Sequence, residues 1–261
     1  MISVTIDNEI REYPEGTAWL EIAQDYQHLY EDDILLVQVN GKLQELHKHV
    51  KECQLRFVTA REKPGMSAYQ RSATLLMLKA FYSVVGAENL EKIVVDFSVG
   101  KGVFVEPRGN VTVTPELLAR VKEKMHEYVA RKIPIMKRSV STEDAIDLFY
   151  SHKMYDKARL FRYRMVSRVN VYSIDGFEDY YYGYMVQNTS YIRYFDLLPY
   201  HYGFVLMLPN MSDPKKIPPF VPQEKLFAVL AESSRWGRLA RLENVGALNE
   251  AVSRGEMPHL I

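Results

Sequence analysis

Residues 34–46, ILLVQVNGKLQEL, place Asn40-Gly41 between two apolar runs. A two-residue loop with positive φ at both positions favours this dipeptide, so the segment predicts a tight antiparallel hairpin. Its neighbours extend the pattern. Residues 2–13 alternate, with Ile2, Val4 and Ile6 on one face and a pause at Asn8. Pro14-Glu15-Gly16-Thr17 is turn chemistry; Thr17 offers an N-cap, and Trp19, Leu20, Ile22 and Ala23 form the apolar stripe of a short helix. LRFVTARE (55–62) adds a last strand. Two strands, a helix, a hairpin and a final strand predict an α+β unit of β-grasp type over residues 1–62. Lys63-Pro64-Gly65 reads as a linker.

A larger α+β unit is expected over residues 66–222. SAYQRSATLLMLKAFYSVVG (67–86) puts Ala73, Leu76, Met77, Ala80, Phe81 and Val84 on one helical stripe, stopped by Gly86. IVVDFSVGKGVFVEP (93–107) reads as two strands around Gly100-Lys101-Gly102. Thr114-Pro115 opens a helix running to about Lys132. Ser141 or Thr142 caps the next, and MYDKARLFRYR continues helical. From 169 to 208 the pattern is β-like, through VNVYSI, the tyrosine-rich DYYYGYMVQNTSYIRYFDLLPYHYGF (179–204) and GFVLMLP. Alternation of Tyr180, Tyr182 and Tyr184 with Tyr181, Gly183 and Met185 predicts a strand, with Tyr191, Tyr194 and Phe195 paired across from it. A Pro/Lys loop follows, and residues 223–261 form late helices.

Composition excludes several classes. The chain has 33 Lys+Arg against 33 Asp+Glu, without the basic surplus typical of proteins that hold nucleic acid mainly through phosphates. A local basic patch remains open. Cys53 is the one cysteine, which excludes an intrachain disulfide and a multi-thiolate metal site. The N-terminus has no signal-peptide pattern, and no apolar run reaches transmembrane length, so a cytoplasmic protein without membrane partners is expected.

VTIDNEIREYPEGTAWLEIA, VQVNGKLQEL and LRFVTA, in that order, resemble a TGS domain, the ubiquitin-like module at the front of threonyl-tRNA synthetase. Ile6-Asp7-Asn8-Glu9 stands where the family's first hairpin has Pro-Asp-Gly. The following helix, hairpin, long helix, PIMKRSVSTEDAIDLF and strand-rich end resemble the second, editing-type domain of the same synthetase. The tyrosine-rich segment and the tail SSRWGRLARLENVGALNEAV resemble bacterial uridine kinase-like (nucleoside kinase) proteins, which carry these domains ahead of a kinase domain. That resemblance implies an N-terminal region of a longer polypeptide, with a kinase domain in cis using ATP and Mg and no cofactor in the present region. The apolar finish GEMPHLI reads as a cut or the start of something else.

The editing reaction rests on His-x-x-x-His in the first helix and Cys-x-x-x-His in a later strand-loop. The matching positions read as Arg71 and Leu75, then Asp196 and Tyr200, with His201 one place off. All four differ, so the resemblance implies a kept fold, a lost reaction, and no catalytic or metal-ligating residue. Phosphate cradling needs Gly-x-x-x-x-Gly-Lys-Ser/Thr, which neither Gly41-Lys42 nor Gly100-Lys101 supplies. Lys101 and its glycine amides could hold a phosphate, though a lone Gly-Lys-Gly reads first as a hairpin turn. A degenerate ligand cleft is therefore expected from Arg71, Leu75, Lys101, Asp196, Tyr200 and His201. His47 and His49 read as a solvated pair, Glu31-Asp32-Asp33 as a solvated turn, Cys53 as a buried apolar position, and RLFRYRMVSR (159–168) as a charged helix face or an RNA-facing strip.

The first functional reading is a non-catalytic binding or regulatory region, sensing a small ligand or tRNA/RNA and acting on the kinase domain. The alternative is a hydrolase with a rebuilt aminoacyl-ester site. A homo-oligomerisation scaffold is the third.

Overall fold

Asp7 and Asn8 take positive φ, 49° and 69°, and join strands β1 (Ile2–Ile6) and β2 (Glu9–Tyr13) in an antiparallel hairpin. Asp and Asn tolerate that conformation, so the turn closes without a glycine. In this computed structural model, which describes residues 1–256, Asn40-Gly41 makes the same kind of turn between β3 (Ile34–Val39) and β4 (Lys42–Glu45). β5 (Cys53–Thr59) returns between β1 and β3, parallel to the first and antiparallel to the second. The resulting order, β2-β1-β5-β3-β4, is the β-grasp arrangement. Helix α1 (Trp19–Tyr26) packs Trp19, Ile22 and Ala23 against Val4, Ile6, Val37 and Phe57. Its cap differs from expectation: Thr17 is spent closing the turn on the Pro14 carbonyl at 2.8 Å, and Ala18 is the N-cap, its amide donating to Glu21 Oε1 at 3.0 Å. The GEMPHLI finish falls mostly on residues outside the described ones.

The expected linker is a helix. Lys63-Pro64-Gly65 forms the first turn of α2 (Lys63–Val85), where proline is at home. A Cβ on Gly65 would stand 2.0 Å from the Thr59 carbonyl oxygen, so glycine lets the helix start directly against β5. α2 joins Leu35, Leu36, Val58 and Ala60 of the first sheet to one large core. Gly86 ends it with φ 87°.

The remainder follows as β6 (Leu90–Val99), β7 (Gly102–Gly109), α3 (Pro115–Ala130), β8 (Ile135–Ser141), α4 (Thr142–Ser151), α5 (Tyr155–Arg162), β9 (Arg168–Ile174), β10 (Phe177–Tyr180), β11 (Asp196–Tyr200), β12 (Gly203–Met207), α6 (Glu224–Leu239) and α7 (Val245–Ser253). Two further sheets result, β11-β12-β7-β6 and β10-β9-β8. Both contribute to the core around α2, through Val105, Phe204 and Leu206 on one side and Ile135, Tyr172 and Ile174 on the other. Thr114 accepts the Leu117 amide as the cap of α3, and Ser141, rather than Thr142, caps α4.

The tyrosine-rich strand is the main departure. β10 stops at Tyr180, residues 181–188 are irregular, and Thr189–Tyr191 is one 3₁₀ turn. Side chains claim the backbone there: Arg71 donates to the Tyr184 carbonyl, the Met185 amide to Glu45 and the Val186 amide to Ser72. Strand pairing is thereby replaced. Phe195 packs on His126 rather than on a cross-strand tyrosine, ring centroids 4.6 Å apart. The acidic turn also departs, since Asp32 is 4% exposed and bonded by Arg61, and Asp33 is bonded by Arg193. Cys53 is buried as expected.

Burial, reinforced by Lys122, holds His126 below the ordinary histidine pKa. Burial does the same to His47 against the opposing pull of Glu45. The unfolded chain therefore takes up protons first, near pH 6.5, so stability is full above that pH and declines as pH falls toward the folded values. Thermal melts between about pH 7.5 and 5 should show a falling Tm, with a shallower fall in His126→Gln. A Tm that stays level or rises on acidification contradicts this.

Candidate functional site

The six expected site residues do not converge. Asp196 pairs with Lys122 of α3 at 2.7 Å. Tyr200 donates to Glu224 Oε1 at 3.0 Å, and the His201 ring lies flat on Phe227 with centroids 3.9 Å apart. These two close the start of α6 in a small cluster with Phe104 and Phe220, separate from the core that holds Leu75. Leu75 is fully buried. Lys101 and Gly100 take φ 69° and 56° in a plain two-residue turn. DLLPY forms the edge strand β11, and its polar side chains go to Lys122 and Glu224 rather than to Arg71. The segment facing Arg71 is 183–186.

Arg71 stands at a polar junction of α2, β4, β8 and β9. Its Nε donates to the Tyr184 carbonyl at 3.0 Å, and the guanidinium lies so close to Gly183 that a Cβ there would be 2.7 Å from its central carbon. Its terminal nitrogens make no hydrogen bond among the described residues. Burial holds the group below its usual pKa, with Tyr172 and Glu45 pulling it back up; an arginine remains a cation there.

Glu45, only 3% exposed, organises the other side. It accepts Lys137 Nζ at 2.9 Å, the Tyr172 hydroxyl at 2.7 Å and the Met185 amide at 3.1 Å. Burial first, then Glu45, push the Tyr172 phenol up, so it stays protonated. His47 Nε2 is 4.0 Å from Glu45, which takes His47 out of the expected solvated pair. Lys137 also lies over the Tyr172 and Tyr184 rings at 5.3 and 5.7 Å. Two cations, Arg71 and Lys137, thus surround one carboxylate. That balance suits an anionic group.

The junction has little to react with. Ser72 Oγ is fully buried, donates to the Ala68 carbonyl and accepts the Val186 amide. Across from it stands the Met185 thioether, 3.3 Å away. No group of three or more His, Cys, Asp or Glu suited to a metal ion occurs among the described residues. A separate groove of about 970 Å³ runs between β6, α5 and α6, floored by Leu78, Tyr82 and Phe177. Glu243, also in its lining, accepts from Lys92 at 3.1 Å and Arg108 at 3.3 Å.

No family model matches the chain. Curated relatives do. The likeness is to threonine–tRNA ligases. That of Porphyromonas gingivalis strain W83 is 26% identical over 208 residues, 76% of this chain and 30% of the relative. The Syntrophomonas wolfei protein is 28% identical over 152 residues, 57% and 23% respectively. The Thermotoga petrophila protein is 26% identical over 194 residues, 74% and 29%. The chain spans less than a third of the length of these relatives. They give the expected nucleoside kinase association no support. No helix among the described residues is long and apolar enough to cross a membrane.

Glu45, Lys137 and Tyr172 were not singled out from sequence, and Tyr184 and Gly183 were read there only as residues of a strand. No spacing rule links one carboxylate at the end of a hairpin to a lysine and a tyrosine in strands far along the chain. The available signal was a charged residue at a position of β4 that folding buries.

Proposed function

We propose that this chain is an RNA-recognition module of threonyl-tRNA synthetase type, which holds the acceptor end of a tRNA without hydrolysing its ester. The observation carrying the reading is the Arg71 cation, half-buried on the face of α2 where the resemblance expects the first editing histidine, with its terminal nitrogens unspent. Paired with Lys137 it offers a binding place for a phosphate or carboxylate. The methionine and buried serine opposite offer neither thiolate nor imidazole, and the nearby His47 imidazole faces Glu45. The likeness to threonine–tRNA ligases over about three quarters of the chain supports the RNA partner. Residues 1–62 as a TGS-like unit, 66–222 as an editing-like unit and 223–261 as C-terminal helices complete the proposed organisation.

Retention of tRNA at low salt by the purified chain is the test. Arg71→Ala should weaken it about ten-fold or more, the worth of one hydrogen bond to a charged group. The salt slope should fall by about one. Absence of tRNA retention removes the reading, and release of amino acid from aminoacyl-tRNA above background replaces it with the hydrolase alternative. A nucleoside kinase domain in cis, with ATP and Mg, is a separate proposal resting on the tyrosine-rich segment and the tail; the reading frame beyond Ile261 tests it.

A further inference from the structure

α5 ends at Arg162, so RLFRYRMVSR is only partly a helix face; its second half is an irregular crossing to β9. Residues 153–168 hold Lys153, Lys157, Arg159, Arg162, Arg164 and Arg168 against one acid, Asp156. Lys157 is taken by Asp179 and Arg159 by Glu250. Arg162, Arg164 and Arg168 meet no carboxylate among the described residues. Their bonds go to the Tyr150 hydroxyl, the Tyr180 hydroxyl and Ser139.

The two foremost arginines lie on aromatic rings. Arg162 stands 5.5 Å over Tyr150, and Arg164 stands 5.6 Å over Tyr180 and 5.7 Å over Tyr182. Among the rings around them Tyr182 is 81% exposed, Tyr155 56% and Tyr163 39%, while Tyr180 is half-buried in a T-shaped contact with Phe161. Exposed tyrosines interleaved with unpaired guanidinium planes give flat stacking faces inside a positive field. Unpaired bases stack on both kinds of plane while the phosphates take the charge. A membrane surface would call for an inserted apolar face of the Leu, Phe and Trp kind; this face exposes Met165 and the edge of Val166, but phenol rings and guanidinium groups make up the rest of it. The strip also leads to the junction: Tyr182 is followed by Gly183, which touches the Arg71 guanidinium.

We infer that Arg162, Arg164, Tyr180 and Tyr182 form a stacking platform for single-stranded RNA. The inference rests on the RNA reading above and adds the place where unpaired nucleotides lie. Fluorescence anisotropy with a labelled twelve-nucleotide oligouridylate as probe (roughly the length that one single-strand site covers) should show salt-dependent binding. Tyr182→Ala, at a highly exposed position, should weaken it about five-fold or more, the low end for one lost stacking partner. Arg164→Lys should keep the salt slope while losing affinity, because the charge stays and the plane goes. Unchanged oligonucleotide binding in both variants overturns the platform, as does preference of the intact chain for vesicles of anionic lipid over the oligonucleotide. If tRNA is retained equally by the intact chain and Tyr182→Ala but lost by Arg71→Ala, the platform falls and the acceptor-end reading stands. Oligonucleotide binding that is sensitive to Tyr182, without tRNA retention, supports the platform and removes that reading.

Discussion

Glu45→Ala is expected to lower the unfolding free energy by about 3–5 kcal/mol, the cost of leaving a buried partner charge uncompensated. Three donors lose one acceptor at once: Lys137 Nζ, the Tyr172 hydroxyl and the Met185 amide. The hydroxyl keeps a second acceptor, the Gly183 carbonyl at 2.6 Å, and Lys137 is 16% exposed, so water meets part of the loss. These place the effect toward the lower end of the range. Lys137→Met should cost less, since Glu45 keeps two donors and Arg71 stands nearby. The double variant should be more stable than the sum of the single losses, as it is for groups in one network. Urea titration followed by circular dichroism measures all three; a Glu45→Ala loss under about 1 kcal/mol, the worth of an ordinary hydrogen bond, sinks the account.

The network also explains what sequence could and could not reveal. Asn40-Gly41, Gly86, Thr114-Pro115 and Ser141 act within a few residues of themselves, and each does in the fold what its chemistry dictates. The β-grasp sheet was legible for that reason. Lys63-Pro64-Gly65 misled because proline and glycine serve a loop and a closely packed helix start equally well, and only the Thr59 carbonyl distinguishes them. The tyrosine run misled more deeply. Its alternation is that of a strand, but Arg71, Ser72 and Glu45 capture the carbonyl and amides of residues 184–186. Contacts spanning 113, 114 and 140 residues leave no local trace. The site followed the same logic: Arg71 was found by position in a motif, and its companions were invisible until the chain closed around it.

Phe81→Ala tests the other thing that α2 does. Phe81 of α2 and Phe204 of β12 are both fully buried and stack with centroids 5.5 Å apart and planes 4° from parallel. Truncating either ring removes its transfer free energy and leaves a cavity, at a cost of about 3–5 kcal/mol. The stacked pair adds roughly 0.5–1.5 kcal/mol beyond area burial, so Phe81→Ala/Phe204→Ala should lose less than the two single losses combined. The consequence reaches the β-grasp sheet. Leu35, Leu36, Val58 and Ala60 share one core with Phe81, and Lys215, Arg193 and Lys137 tie the first sheet to the rest through Asp32, Asp33 and Glu45. A helix that begins against β5 and ends beneath β12 should pass the loss to both regions. Calorimetry of Phe81→Ala should therefore give one cooperative transition at lower temperature. Two transitions, the earlier one moved and the later one unmoved, would mean that residues 1–62 melt as an independent unit and that Gly65 marks a joint after all.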